Sequence, residues 1–330
     1  MFSLGSIYER QGNWNRVFDH YRSFLRNYGR TALPHEVIRA NVQMGRAQWE
    51  LDHRDLAEPH FRAATQAYER GAVEAINRAE GTDEERALWL ARAREATSEG
   101  LFYLSEYRYA DFRAVRFPHY RGPTTLVAVN RWSQTELFPW LQRKFEALRT
   151  AEASYNQIEP LQIPQWQIAA AARVGEMYRT IIDDVRSAPV PDEIARDPEL
   201  EGIYLDALEN VLNGSNPGPD GRWETEDDVR CSEGAGSASC QGAPIPRALG
   251  AFEYCLTLAT RVRWFNEWSA QCEQELNQLD RARFPLAAEL RGTASFIQDQ
   301  VADPGPVELS TDEEVEGDST ESSVPEAGQT

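Results

Sequence analysis

Four cysteines and one acidic loop hold the residue types most able to do chemistry in this chain. Cys231 and Cys240 lie nine residues apart across SEGAGSAS, a spacing that can close a small disulfide loop. Zinc is the other use of paired cysteines, but a structural zinc site wants four ligands at short spacings, and no second close pair or nearby His is present. A disulfide is the leading reading here, free thiols come next and metal comes last. Cys255 and Cys272 stand on opposite sides of a turn around Arg263 to Phe265, at nearly equal distances from it. In an antiparallel helical hairpin they would lie level, where a bridge would add about 2–4 kcal/mol. Alternatively, Cys255 simply fills a small position on a helix face. Two local pairs of cysteines favour an oxidising compartment.

Between the pairs of helices, Gly218 to Asp228 reads GPDGRWETEDD. The carboxylates of Asp220, Glu226, Asp227 and Asp228 are hard oxygen ligands suited to calcium, although the EF-hand positions are missing. A solvated acidic loop is the competing reading. The five histidines, His20, His35, His53, His60 and His119, form no H-E-x-x-H pair. Neither a Gly-x-Ser-x-Gly elbow, a phosphate-cradling loop nor a dinucleotide fingerprint occurs. The adjacent acids Asp183-Asp184 and Asp227-Asp228 read as solvated, so the expectation is a protein that is not an enzyme and needs no cofactor beyond the calcium option.

The elements that must carry these residues are helices. Met44 to Tyr68 reads MGRAQWELDHRDLAEPHFRAATQAY, a helix, a polar turn and a second helix. Gly45 lets the second helix approach closely; Ala57, Phe61 and Ala64, at spacings of four and three, fill the groove. The pattern recurs. Leu4, Gly5 and Tyr8 open the chain, followed by Val17, Tyr21 and Phe24; Val174, Gly175 and Tyr178 repeat the first half, preceded by Ala151, Tyr155 and Ile158; Ala248, Phe252 and Cys255 make another triplet.

These residues resemble the tetratricopeptide repeat superfamily across most of residues 1–290. The repeats are unevenly spaced and no copy has every consensus residue, so the expected fold is all-α: a degenerate TPR-like helical-hairpin solenoid with one irregular loop insertion and a disordered C-terminal tail. Hairpins occupy 1–70, a long helical segment and breaker loop 71–123, and a helical region 124–292 with the loop 213–247 inserted; 293–330 is an acidic tail too poor in apolar residues to fold. Gly71 to Gly81 can continue the second helix of its hairpin. Thr82 caps a long helix from Asp83, and Asn130 to Ile158 reads as one helix with a break at Pro139. The order KFEALRTAEASYNQI, PQWQIAAAARVGEMY and SAPVPDEI, then AFEYCLTLATRVRWFNEWSAQCEQELNQL and FPLAAELRG, is similar to the C-terminal region of large envelope-associated TPR proteins of gliding bacteria.

That resemblance implies a non-catalytic protein-protein interaction scaffold in a cell-envelope assembly facing the periplasm. Its protein partner would lie along first-helix side chains such as Tyr8, Gln48 and Tyr178. A rigid structural subunit and a calcium-responsive module are the alternatives. The formal net charge of −19 excludes a nucleic-acid surface, and no stretch has the roughly 18 apolar residues of a membrane span. Met1 falls inside a first helix that has neither the usual Trp nor a helix before it, which reads as the C-terminal part of a longer array or a misassigned start. Lysine occurs once, at Lys144, so the positive charge is nearly all arginine.

Overall fold

The computed structural model describes residues 2–214 and 243–286, and among these every regular element is helical. The order is α1 (Phe2–Arg10), α2 (Trp14–Tyr28), α3 (Pro34–Glu50), α4 (Arg54–Glu69), α5 (Ala72–Arg78), α6 (Asp83–Ala114) and α7 (Leu126–Trp132). It continues with α8 (Phe138–Tyr155), α9 (Pro164–Arg186), α10 (Asp192–Ala195), α11 (Pro198–Asn213), α12 (Pro244–Val262) and α13 (Glu267–Leu279). Cys231, Cys240, the acidic residues Asp220, Glu226, Asp227 and Asp228, and the tail 293–330 lie outside the described residues.

Local chemistry sets the ends of these helices. The Asn13 side chain accepts from the Arg16 amide and starts α2. Thr82 and Glu85 form a reciprocal capping box that starts α6, with the Thr82 oxygen 3.2 Å from the Glu85 amide and the Glu85 carboxylate 2.8 Å from the Thr82 amide. Proline opens α3, α9 and α12, where a missing N–H costs nothing.

Three expectations are corrected. Gly71 adopts φ 98°, a left-handed conformation that no helix interior accepts, so α5 is a separate element rather than a continuation of α4. The helix expected from Asn130 begins at Leu126, and it passes Pro139 through a π-helical turn, Ser133–Leu137. The wider turn absorbs the residue that cannot donate, so the axis continues. Beyond Tyr155 the chain tightens into a 3-10 stretch, Asn156–Leu161, that carries Ile158. Finally, residues 244–247 of the expected insertion are already the first turn of α12.

Helices pack in chain order. α2 lies against α1 and α3, α3 against α4 and α6, α6 against α8 and α9, and α9 against α12 and α13. The described residues up to Phe284 make one compact unit. Its cores follow the same order: Val17, Tyr21 and Phe24 pack on Ala40, Met44 and Ala47, and Ile38, Phe61 and Ile76 pack on Ala93 and Ala96. A third core joins Phe102, Tyr109 and Phe112 to residues of α8, α9, α12 and α13. α6, about 48 Å long at 1.5 Å per residue, serves both of the latter two cores, the first through its N-terminal half and the second through its C-terminal half.

Candidate functional site

Each glycine of the repeat pattern, Gly5, Gly45 and Gly175, lies under an aromatic ring of a helix packed against its own. A β-carbon on Gly45 would stand 2.7 Å from the Phe61 ring, and one on Gly175 would stand 2.5 Å from Phe252. Gly5 meets the Tyr21 ring in the same way. Ala57, Ala64, Ala151, Tyr155 and Ala248 are buried. Tyr8 is half-buried, between Arg16 and His20. Leu4 differs: it is 44% exposed, because the packed side of α1 is the one that holds Gly5 against α2.

The residues expected to face a partner also need correction. Gln48 is only 8% exposed, and its Oε1 lies 3.1 Å from His53 Nδ1. Tyr178 is 5% exposed; its hydroxyl donates to Glu152 and accepts from Arg247. Both side chains are consumed inside the fold.

What the close helix approach creates is a cleft of about 470 Å³. α3 contributes Arg39, Gln43 and Arg46, spaced by four and three along one face; α6 contributes Arg92, Glu95, Glu99 and Tyr103. Gln165 and Trp166 come from the first turn of α9, and Trp264, Asn266 and Trp268 from the α12–α13 junction. The Phe102 ring centroid lies 5.2 Å from that of Trp166 and 5.9 Å from that of Trp268, so the aromatic floor is a packed cluster. Arg173 locks this floor from beneath. Its guanidinium lies 4.7 Å from the Trp268 ring centroid and donates to Glu106 at 2.9 Å and to Glu176 at 2.7 Å. Trp264, at the rim, is 50% exposed.

Six buried side-chain atoms among the described residues have no hydrogen-bond partner, and four of them belong to this cleft: Gln43 Oε1, Arg46 Nε, Glu99 Oε1 and Trp166 Nε1. Native folds rarely leave such atoms unanswered, which marks the cleft as the place with chemistry to spare. Glu99 is 8% exposed, and burial raises its carboxyl to about 7 while Arg46, 3.7 Å away, pulls the other way. Burial disfavours the Arg46 charge, yet Glu99, Tyr103, Glu9 and Glu50 together hold the guanidinium above its ordinary range.

A second groove, about 430 Å³, runs between α8, α9 and α12 over Ala170, Ala171, Gly250 and Ala251. Its charged residues Glu152 and Arg247 pair with each other, so it lacks the unanswered groups of the first. Cys255 and Cys272 are joined as a disulfide with Cα atoms 6.5 Å apart, and the stretch they bracket contains Trp264, Asn266 and Trp268. No group of three or more His, Cys, Asp or Glu side chains among the described residues is placed to hold a metal ion, and no described helix is long and apolar enough to cross a membrane.

Sequence reasoning passed over the cleft residues because polar side chains at helical spacing read as a solvated face. The signal available was the conjunction of Arg39-Gln43-Arg46 with Arg92-Glu95-Glu99, each at helical spacing. Lys144 was also passed over. It is buried, and its Nζ donates at 3.1 Å to the carbonyls of both Phe112 and Val115, closing the C-terminal end of α6. Comparison with protein-family models, with curated proteins and with solved structures finds no match for this chain.

Proposed function

We propose that this chain is a non-catalytic scaffold of tetratricopeptide-like hairpins that holds a segment of a partner protein in the cleft between α3, α6, α9 and α13. The observation that carries the reading is the set of unpartnered polar atoms contributed to one cleft from three separate helices. Its background is the packing, in which α3 touches α6, α6 touches α9 and α9 touches α13. In a helical-hairpin array, first helices line the shared face. A rigid subunit without a groove would fill that face with apolar side chains; arginines, glutamines and a half-exposed Trp264 favour an adaptor instead. The buried Cys255–Cys272 bridge suits an oxidising compartment such as the periplasmic side of a cell envelope, and that is the location we propose.

The test is a photo-crosslinking residue placed at Gln165 in the cleft or at the exposed Arg26 on α2, in the native cell. A discrete adduct from the Gln165 position that is missing from the Arg26 position is expected. The same adducts from both positions would sink the reading.

A further inference from the structure

The cleft poses a hydrogen-bonding problem that its own side chains leave open. Gln43 Oε1 is a buried acceptor without a donor, and Glu99 Oε1 has no hydrogen bond, only the Arg46 guanidinium 3.7 Å away; Arg46 Nε and Trp166 Nε1 are buried donors without acceptors. Each such atom costs on the order of 1–3 kcal/mol while it is unanswered. The atoms come from α3, α6 and α9, so a ligand that answers them must present donors and acceptors along its length. An extended peptide backbone offers both at every residue. A helical segment does not, because its own ladder has used them.

Charge narrows the class further. On a chain of net charge −19, the cleft gathers Arg39, Arg46 and Arg92 against Glu95 and Glu99. Guanidinium groups outnumber carboxylates here, and they outnumber them three to one once Glu99 is neutral. A carboxylate entering beside Arg46 competes with Glu99 for that guanidinium and adds a second negative charge at a desolvated place. Resting on the docking reading above, we propose that the cleft receives an extended peptide segment bearing a carboxylate, and that Glu99 takes up a proton as that carboxylate arrives. The protonated acid then becomes a donor where before it could only accept.

The groups that act on Glu99 are Arg46 and Arg39 from α3, Glu9 from α1 and Glu95 from α6, with the phenols of Tyr21 from α2 and Tyr103 from α6 close by. α9 and α13 contribute Gln165, Trp166, Asn266 and Trp268 to the lining, none of which titrates. The free carboxyl already ionises at about 7, so the proton is at hand near neutrality. Uptake on binding means that affinity is highest below that pH and falls as pH rises through it, by about tenfold from pH 6 to pH 8.

The experiment titrates the full, disulfide-bonded chain with three capped hexapeptides in which leucine alternates with glutamate, glutamine or lysine, read by tryptophan fluorescence. The glutamate peptide is expected to bind tightest, and to lose about tenfold from pH 6 to pH 8 in the natural chain but not in Glu99→Gln. Calorimetry of the natural chain at pH 7.5 in two buffers of different ionisation enthalpy reads the proton uptake directly, without relying on the variant. Equal binding of the glutamate and glutamine peptides, preference for lysine, or no buffer dependence overturns the acidic-segment inference and leaves peptide docking standing. Absence of saturable binding by all three peptides overturns both.

Discussion

Adding one methyl group to Gly175 tests the packing on which everything else is mounted. A β-carbon there would stand 2.5 Å, 2.6 Å and 2.7 Å from three ring atoms of Phe252, which is fully buried. Carbon atoms rest at about 3.5–4.0 Å, so the ring or α12 must retreat by about 1 Å into a filled core. Overpacking of this kind costs about 1–3 kcal/mol, and the better helix propensity of alanine returns up to about 1 kcal/mol. Gly175→Ala is therefore expected to destabilise by about 1–2 kcal/mol. Gly250, in α12, supplies the control: nothing lies within 4 Å of its added carbon, so Gly250→Ala should stabilise by about 0.4–1 kcal/mol. Chemical denaturation of both variants separates the two signs. A cycle with Phe252→Leu sharpens the result, since the smaller side chain should cost less in the Gly175→Ala background, with a coupling of about 1 kcal/mol or more. A Gly175→Ala protein as stable as the natural one, or a cycle that closes to zero, would refute the wedge.

Three further outcomes are expected. Lys144→Met leaves the Phe112 carbonyl without this donor and the Val115 carbonyl with only the Trp140 Nε1–H, 3.4 Å away, and should lower unfolding stability by about 1–3 kcal/mol; an unchanged denaturation midpoint would mean that solvent reaches them. Replacing Cys255 and Cys272 together by alanine reopens a loop of sequence separation 17, with an expected loss of about 3 kcal/mol in chemical denaturation; a variant as stable as the natural chain would contradict the staple. For Glu99 the folded carboxyl stands at about 7 against an ordinary 4.5, so the folded state binds more protons than the unfolded one between those values. Stability thus falls as pH rises through that window, by about 3 kcal/mol in all at 1.36 kcal/mol per unit. Glu99→Gln should flatten this fall and be the more stable protein at pH 8; parallel pH profiles of the two melting temperatures would contradict the assignment.

The helices and their wedges were legible because both are written locally. Gly45 and Phe61 announce themselves by helical spacing on either side of a turn, and Thr82 with Glu85 marks the start of α6 within four residues; Gly175 and Phe252 each stood out in their own helix, but with α10 and α11 between them their pairing was not legible. Gln48 and Tyr178 were misread because repeat geometry assigns a helix to a face without fixing which of its residues look outward. On α3 the row that lines the cleft is Arg39, Gln43 and Arg46, and Gln48 turns back to His53. The cleft itself was illegible: its walls come from helices far apart in the sequence, and no local pattern records that Glu99 will lie beside Arg46 or Trp166 beside Phe102. Lys144 was hidden for the same reason, since the carbonyls it serves belong to another helix.

The supports of the cleft are its aromatic floor and the residues under that floor. Trp264, Asn266 and Trp268 belong to a stretch tied at both ends by the Cys255–Cys272 bridge, and the Trp268 ring rests on Arg173, which Glu106 and Glu176 hold from two helices. The Gly175–Phe252 wedge fixes how closely α12 approaches α9, and so where the α12–α13 junction comes down over Trp166. A fold that gathers four of the six unpartnered buried side-chain atoms among its described residues at one cleft is organised to present that cleft, because the unmet groups lower its own stability until something arrives from outside to answer them.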